Sequence, residues 1–476
     1  MKRILIFLAL IVWCFPAHPA NTDRHRIIVL TDIENEPDDA QSLIRFMLYS
    51  NQWDTEAIIA TTSCWMRDRT AAWRIYEILD AYEKVQPNLL KHEAGYPTAE
   101  FLRARVKEGI PKFGMEGVGP GQDSDGSEWI ISVIDKDDDR PIWVQAWGGV
   151  NTLAQALWKL KHTRPEREVE SIVSRLRVYT ISDQDNSGPW IRRTFPGLFY
   201  IVSPGFHENN ETAYHYATWT GIAGERWYRY PSGADTSIIR NNWVRNNIRN
   251  KGPLGAQYPL IDYIMEGDTP SFLYLIDNGL NFPERPDYGG WGGRYELYTP
   301  PYKKWFHEPE TRPIWTNTED MVVVDGTRYI SPQATIWRWR EAFQNDFLSR
   351  INWTIMNYEE ANHPPVPILA HPNEITVKSN DVVKLDATPT TDPDGDNLTY
   401  NWYLYFEPGS YLLFTDYQSN RNHQLDIENS DKSVATFTAP AVNKPSDMHI
   451  ILEVTDDGDP ALTRYQRVIV NIMPEK

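Results

Sequence analysis

Short apolar runs alternate with helical periodicity through the first half of the chain. Arg26–Leu30 (RIIVL) is apolar and β-branched, the pattern of a strand buried on both faces. Ala40–Tyr49 follows, with Leu43, Phe46, Met47 and Leu48 at helical spacing. Glu56–Thr62 predicts a second strand and Ala71–Tyr82 a second helix. Pro141–Ala146 predicts a third strand, succeeded by a helix over Asn151–Leu160, and Arg177–Ile181 and Leu198–Val202 continue the series. This alternation predicts an α/β domain, a mostly parallel sheet flanked by helices and joined by right-handed crossovers. From about 205 to 330 the pattern weakens into a stretch rich in Trp, Tyr, Gly and Asn, where helices and long loops are expected. Ser331-Pro332 is a hydroxyl cap followed by a first-turn proline. It predicts a helix to about Met356, with Trp339, Phe343, Phe347 and Ile351 on one stripe.

Ala361–Pro372 holds four prolines and reads as a stiff linker. Beyond it the period changes to two. Val382–Leu385, Leu398–Tyr405, Ser433–Thr438, His449–Val454 and Tyr465–Ile472 predict strands, separated by turn signals at Asp392–Asp396 (DPDGD) and Asp456–Asp459 (DDGD). Residues 373–476 are therefore expected to form an all-β sandwich of the immunoglobulin-like kind, with Trp402 in its core. Residues 21–360 form the α/β domain in this reading.

The 476 residues suffice for two or three domains of ~100–200 residues each. With 47 Lys+Arg against 65 Asp+Glu, the net charge of -18 argues against a nucleic-acid partner, whose phosphates call for a basic surface. An acidic chain suits cations and neutral substrates, or reflects solubility alone. Residues 1–20 read as a signal peptide: Lys2 and Arg3, an apolar run over Ile4–Phe15, then small residues up to Ala20. A secreted or periplasmic protein cleaved near Ala20 is expected. Cleavage removes Cys14, leaves Cys64 as the single cysteine, and so excludes an internal disulfide. No later stretch is long and apolar enough for a transmembrane helix. The sequence leaves the oligomeric state open, a dimer included. The 19 tryptophans belong mostly to the core, while exposed ones would offer flat platforms for sugar rings.

The sharpest local signal is Thr31-Asp32-Ile33-Glu34-Asn35-Glu36-Pro37-Asp38-Asp39-Ala40, between a buried strand and a helix. In open α/β sheets the carboxyl end of a strand is where ligands bind. Five carboxylates lie within the eight residues Asp32–Asp39, a crowding that is costly unless a cation neutralises it. Hard oxygen ligands favour Ca²⁺ or Mg²⁺ over zinc. The plainer reading is an acidic loop with Asp38 capping the helix; the position after the first strand favours the metal.

This loop resembles the aspartate signature of inosine-uridine-type nucleoside hydrolases, and more closely the secreted nucleoside-hydrolase-like proteins often described as cellulose-binding, which share the form T-D-I-x-N-E-P-D-D. The resemblance spans about residues 25–355, and a C-terminal β-sandwich accompanies that group. Three further segments are similar to the family. Trp147–Thr152 (WGGVNT) resembles a glycine loop opening a helix. Ser182–Trp190 (SDQDNSGPW) follows a strand where sugar-binding groups are found. Glu266–Leu273 (EGDTPSFL) resembles the segment that supplies a further aspartate. The resemblance implies a Ca²⁺ site built from Asp32, Asp39, Asp268 and the backbone carbonyl of Trp147. It implies Asp32 as general base and Asp38 as the holder of a sugar hydroxyl. Calcium would grip a vicinal diol and a water, lowering the water's pKa. Nearby carboxylates would stabilise an oxocarbenium-like transition state. Glu34, Asn35, Glu36, Asn151, Asp183, Asp185, Trp190, Glu266, Trp291 and Arg294 are expected around the substrate.

The sequence departs from the nucleoside hydrolases in two places. Five residues separate Asp32 from Asp38 where those enzymes have three, and Gly267 stands where many carry a histidine that protonates the leaving base. A different acid is then required, with Glu266, Asp183, Asp185 or His207 as candidates. The expected function is a calcium-dependent glycoside or N-glycoside hydrolase acting on a carbohydrate. The alternatives are a carbohydrate-binding protein that keeps the site without turnover, and a nucleoside hydrolase.

Other features admit two readings each. The glycine-rich Gly289–Tyr295 either presents Trp291 and Arg294 to the site or is plain structure. Trp190 either stacks on a sugar or packs internally. His207-Glu208 is an acid pair or a surface turn, and DPDGD a turn or a second calcium loop. Cys64 reads as a buried small residue rather than a nucleophile, since nothing suggests an activating base.

Overall fold

The computed structural model describes residues 24–203, 217–222, 235–300, 309–411 and 425–475. The expected signal peptide and the His207-Glu208 pair lie outside them. The α/β domain is built on β1 (His25–Thr31), β2 (Trp53–Ala60), β3 (Val106–Glu108), β4 (Ile142–Ala146), β5 (Leu176–Ser182), β6 (Phe199–Ser203), β7 (Tyr295–Tyr298) and β8 (Ile314–Asn317). They form one sheet in the order β3-β2-β1-β4-β5-β6-β8-β7, parallel except for the β7–β8 pair. Strand β1 shows why the apolar run is continuous: Ile27 and Val29 face one hydrophobic core and Ile28 and Leu30 the other, so both faces are buried. The helices between the strands are α1 (Pro37–Leu48), α2 (Ala72–His92), α3 (Ala99–Arg103), α4 (Asp125–Ile134), α5 (Asn151–Thr163), α6 (Glu166–Arg175) and α7 (Ser187–Thr194).

The order 3-2-1-4 puts a topological switch point between β1 and β4. Connections leave these two strands toward opposite sides of the sheet, and a crevice opens at their carboxyl ends. The loops after β1, β2, β4 and β5 rim this crevice.

The second domain pairs β11 (Glu374–Lys378), β13 (Thr399–Tyr405), β16 (Ser446–Thr455) and β17 (Thr463–Met473) in one sheet. Strands β12 (Val382–Asp386), β14 (Ile427–Glu428) and β15 (Val434–Thr438) form a second. One apolar core lies between the sheets, with Trp402 buried in it. A β9–β10 hairpin (Asp320–Val324, Thr327–Ser331) precedes the last helices of the first domain.

Several boundaries differ from the sequence reading. Helix α2 continues past Tyr82 through Pro87 to His92, its inward side held by Val85 and Leu89. Helix α4 was not expected; its signal is the reciprocal cap between Ser124 and Ser127 followed by Ile130, Val133 and Ile134. The helix expected over 331–356 is two helices, Ala334–Trp337 and Arg340–Asn352, with the break at Arg338–Trp339. The stripe Trp339, Phe343, Phe347 and Ile351 is buried as its spacing requires. The stretch from 205 to 330, expected as helices and loops, contributes β7, β8 and all of the hairpin but Ser331.

The proline-rich linker is pinned rather than free. The Asn362 side chain donates to Asp456 Oδ1 at 2.9 Å and to the Pro460 carbonyl at 2.8 Å, while the Asn362 carbonyl accepts from Trp353 Nε1 at 3.0 Å. His363 stacks with Trp353 and Tyr358, and His92 Nδ1 lies 3.0 Å from His363 Nε2. Among the described residues, no helix is long and apolar enough to cross a membrane.

Candidate functional site

The site grows from the end of β1. Thr31 closes the strand, and its hydroxyl accepts the Ile33 amide at 3.1 Å and donates to Asp39 Oδ1. The Asn35 amide returns to the Asp32 carbonyl at 3.0 Å, so the chain turns back at once. Glu34 takes a positive φ of 73° at the loop's apex. Pro37 starts α1, which places Asp38 and Asp39 in its first turn, where backbone amides point outward and favour anions. Asp38 folds back onto its own amide, that of Asp39 and that of Gly267. Gly267 precedes Asp268, so this contact draws the late segment over the loop.

Asp38, Asp39 and Asp268 each direct one carboxylate oxygen to a common point, the oxygens lying within 4.8 Å of one another. All three are buried, as is Asp32. Burial pushes the Asp32 carboxyl up to about 7, against a hydrogen bond from Ser63 that lowers it, and the Asp38 charge raises it further. Burial likewise lifts Asp38 to about 6. Asp39 and Asp268 rise well above the usual carboxylate range, first by burial and then by the neighbouring carboxylates. Glu36 at the rim is pushed up to about 8 by burial and by Asp38 and Asp32.

Two of these oxygens, Asp32 Oδ2 and Asp268 Oδ2, are shut off from solvent and accept no hydrogen bond. Buried anionic oxygens without a donor require a counter-charge. Three converging carboxylates and two orphaned oxygens are hard donors that fit a divalent hard cation. The trio differs from the set implied by resemblance: Asp38 converges with Asp39 and Asp268, and Asp32 stands beside them.

The Trp147–Asn151 loop closes the site from β4. The Trp147 and Gly148 amides both reach the Leu30 carbonyl, and Trp147 Nε1 donates to Ser271 Oγ at 2.9 Å. Ser271 Oγ in turn donates to the Asp268 carbonyl at 2.7 Å. The Trp147 carbonyl accepts from Gln184 Nε2, so it already has one partner. A Cβ on Gly148 would lie 2.7 Å from Asp32 Oδ1, and one on Gly149 2.4 Å from Asp185 Oδ2; only glycine lets the backbone approach these carboxylates.

Several expected substrate residues serve the scaffold instead. Asp183 is held by both Nη atoms of Arg192 at 2.8 and 2.7 Å, and Arg192 also meets Glu310. Asp185 accepts the Ser187 amide at 2.8 Å and the Asn151 amide at 3.1 Å, tying the starts of α7 and α5 together. Asn151 donates to Thr62 Oγ1 and to the Lys112 carbonyl, while its Oδ1 is buried without a donor. Trp190 meets Phe195 edge-on, with ring centres 5.9 Å apart, and packs on the core under the sheet. Glu266 is fully buried; its φ of 52° turns the side chain away from Asp268 into Arg45, Tyr258 and Thr269. It cannot reach a substrate as an acid.

Trp291 and Arg294 are not at the site. Trp291 is wedged at the domain interface, with Nε1 3.3 Å from the Tyr465 hydroxyl. Arg294 is buried against Asp320 at 2.7 Å. The glycine loop is required by the sandwich: Arg467 reaches the Gly289 carbonyl at 2.9 Å. The DPDGD segment brings Asp392, Asp394 and Asp396 together, but Asp392 Oδ1 accepts the amides of residues 394, 395 and 396, and Asp394 holds His363. That is the bonding of a tight turn at the domain junction. Cys64 is buried and its thiol pushed up by burial, as expected of an inert residue. The residue sequence reasoning missed is Ser63, whose hydroxyl touches Asp32.

A prediction tests the scaffold reading of Glu266. Arg45→Met leaves its carboxylate buried without a cation, and the variant is expected to lose about 3–5 kcal/mol of unfolding free energy in urea. A loss under about 1 kcal/mol would mean the pair is not what holds Glu266.

The comparisons with known proteins bear on the family and the fold. The family described as "Cellulose-binding Sde182, nucleoside hydrolase-like domain" matches residues 26–295, and "Cellulose-binding protein Sde0182, C-terminal domain" matches residues 382–472. The chain belongs to the Sde182 nucleoside hydrolase-like family. A solved nucleoside hydrolase-related hypothetical protein from Saccharophagus degradans, described as associated with carbohydrate metabolism, is 35% identical to this Sde182-family chain. The match covers 94% of this chain and 100% of that one, with a TM-score of 0.77. The effector protein XOO4466 matches 70% of this chain and 95% of its own at 6% identity and a TM-score of 0.35, too distant to inform the site. Comparison with curated proteins gave no match. Both domains of this chain thus have counterparts in one solved relative, and the fold is that of a nucleoside hydrolase-like sheet with an all-β partner.

Proposed function

We propose that the protein is a calcium-dependent glycoside or N-glycoside hydrolase acting on a carbohydrate outside the cytoplasm. The observation that carries this reading is the buried group Asp32, Asp38, Asp39 and Asp268, with two solvent-excluded oxygens lacking any donor. Asp38, Asp39 and Asp268 would hold the cation. Bound calcium would supply a grip on a sugar diol and acidify a water. Asp32, outside the converging trio and hydrogen-bonded by Ser63, would receive that water's proton. The family's description as cellulose-binding and the relative's association with carbohydrate metabolism support a sugar ligand.

A second reading is a carbohydrate-binding protein without turnover. It is favoured by two of the candidate acids, Glu266 and Asp183, being locked in ion pairs. Nucleoside cleavage is the third, and Gly267 where a histidine would protonate the base counts against it.

The deciding experiment is hydrolysis of a broad panel of oligosaccharides and nucleosides with calcium or chelator. Turnover that requires calcium is the expected result and names the substrate class. Silence across the panel, with calcium-dependent glycan binding, selects the binding protein.

A further inference from the structure

The loop Glu34–Glu36 does more than carry the acidic site; it forms part of the wall of an open groove of about 420 Å³. The first turns of α2, with Trp73 and Glu77, and Pro259 line it as well. Glu36 and Pro37 belong to the groove and immediately precede Asp38 and Asp39, so groove and acidic centre are continuous along the chain. Trp73 is 55% exposed, an unusual position for a tryptophan, and its indole is free to receive a flat apolar face. It lies beside polar groups rather than in an apolar patch.

Arg74 fixes the geometry. Its Nε lies 3.2 Å from Glu34 Oε1, and its Nη1 reaches Glu77 at 2.9 Å and Gln257 Oε1 at 2.7 Å. The guanidinium is thus spent on protein partners, and it holds Glu34 in its left-handed turn against α2. Glu34 and Glu77 outnumber the one arginine they share, so the groove repels phosphates and uronates. Its side chains suit hydroxyls, which donate to Glu34, Glu36 and Glu77 and accept from the Asn35 amide group. An aromatic platform for the apolar face of a pyranose, ringed by acceptors for its hydroxyls, is the chemistry of a neutral sugar.

We infer that this groove is a binding site for a neutral oligosaccharide chain, with one ring stacked on Trp73 and the chain directed toward the acidic centre. The inference rests on the carbohydrate reading above and deepens it, since it requires a ligand of several sugar units rather than a nucleoside. It also gives the longer loop a purpose: the residues between Asp32 and Asp38 reach α2 and build the wall.

Calorimetric titration in calcium with cellohexaose, xylohexaose, mannohexaose and polygalacturonate tests it, using the full chain and the variants Trp73→Ala and Trp73→Phe. A neutral hexaose is expected to bind the wild type, Trp73→Ala to weaken it about tenfold or more, Trp73→Phe to keep most of the affinity, and polygalacturonate not to bind. Shortening the same sugar to its monosaccharide should erase the difference between wild type and Trp73→Ala. Equal hexaose affinity in wild type and Trp73→Ala, or preference for polygalacturonate, would overturn the groove while leaving the carbohydrate reading intact. No binding by any neutral hexaose would overturn both.

Discussion

Asp39→Asn is expected to abolish the thermal stabilisation that calcium gives to the wild-type protein. Asp39 is one of three buried carboxylates whose oxygens converge, and the substitution keeps its shape and its acceptor for Thr31 while removing the charge. A ligand that binds only the folded state stabilises it by about 2.7 kcal/mol at a hundred times its dissociation constant. Losing one of three anionic ligands should move the wild-type gain of several degrees to near zero at the same calcium concentration. The variant without calcium should melt no lower than the wild type without calcium, because the substitution relieves repulsion among buried anions. The wild type itself carries a pH signature. Burial and mutual repulsion raise the folded-state carboxyls, to about 6 for Asp38 and about 7 for Asp32. The unfolded chain gives up these protons near the ordinary value, so the folded state binds more protons between the two values. Stability without calcium is therefore greatest at low pH and is lost as pH rises through about 6 and 7. Calcium cancels the repulsion, so the stabilisation it gives should grow from pH 5 to pH 8. A melting curve indifferent to calcium at pH 8 would remove the metal assignment.

What was legible in the sequence was what local chain geometry dictates. The run RIIVL, the acidic loop and the amphipathic α1 are contiguous, so strand, turn and helix can be read from one stretch, and the site falls at their junction. Asp268 was legible only through resemblance, since nothing in EGDTPSFL by itself announces a buried ligand. The misread residues share a cause: their partners are remote. Trp291 is held by Tyr465, 174 positions away, and Arg294 by Asp320 on the first strand of the hairpin. A glycine-rich loop with an aromatic and a cation reads the same whether it faces a ligand or a second domain. Glu266 was misjudged for a subtler reason. It stands two residues from Asp268, but a left-handed backbone points it to Arg45 on the far side of α1. Ser63 went unseen because a hydroxyl after a strand has no signature until the tertiary fold sets it against Asp32. Trp73 was likewise hidden, as an exposed and a buried tryptophan look alike in the first turn of an amphipathic helix.

Asp32→Asn separates chemistry from metal binding. Asp32 is outside the converging trio, although its Oδ2 is one of the two orphaned oxygens, so the variant should keep part of the calcium stabilisation and more of it than Asp39→Asn keeps. Its role in the proposed reaction is to accept a proton from water. An amide cannot do so, and loss of a positioned general base costs roughly 10²–10⁴-fold in kcat. On the substrate found by the panel, kcat should fall by that amount with KM changed by less than about tenfold, because the sugar is held by other groups. The position tolerates the exchange sterically: asparagine matches aspartate in volume, and Gly148, whose Cβ would come within 2.7 Å of Asp32 Oδ1, leaves the same room. Ser63 supplies an internal check. Ser63→Ala removes the hydroxyl that orients Asp32 without removing the base, so it should lower kcat by a smaller factor and leave the calcium response alone. Full turnover by Asp32→Asn would move the base to another carboxylate.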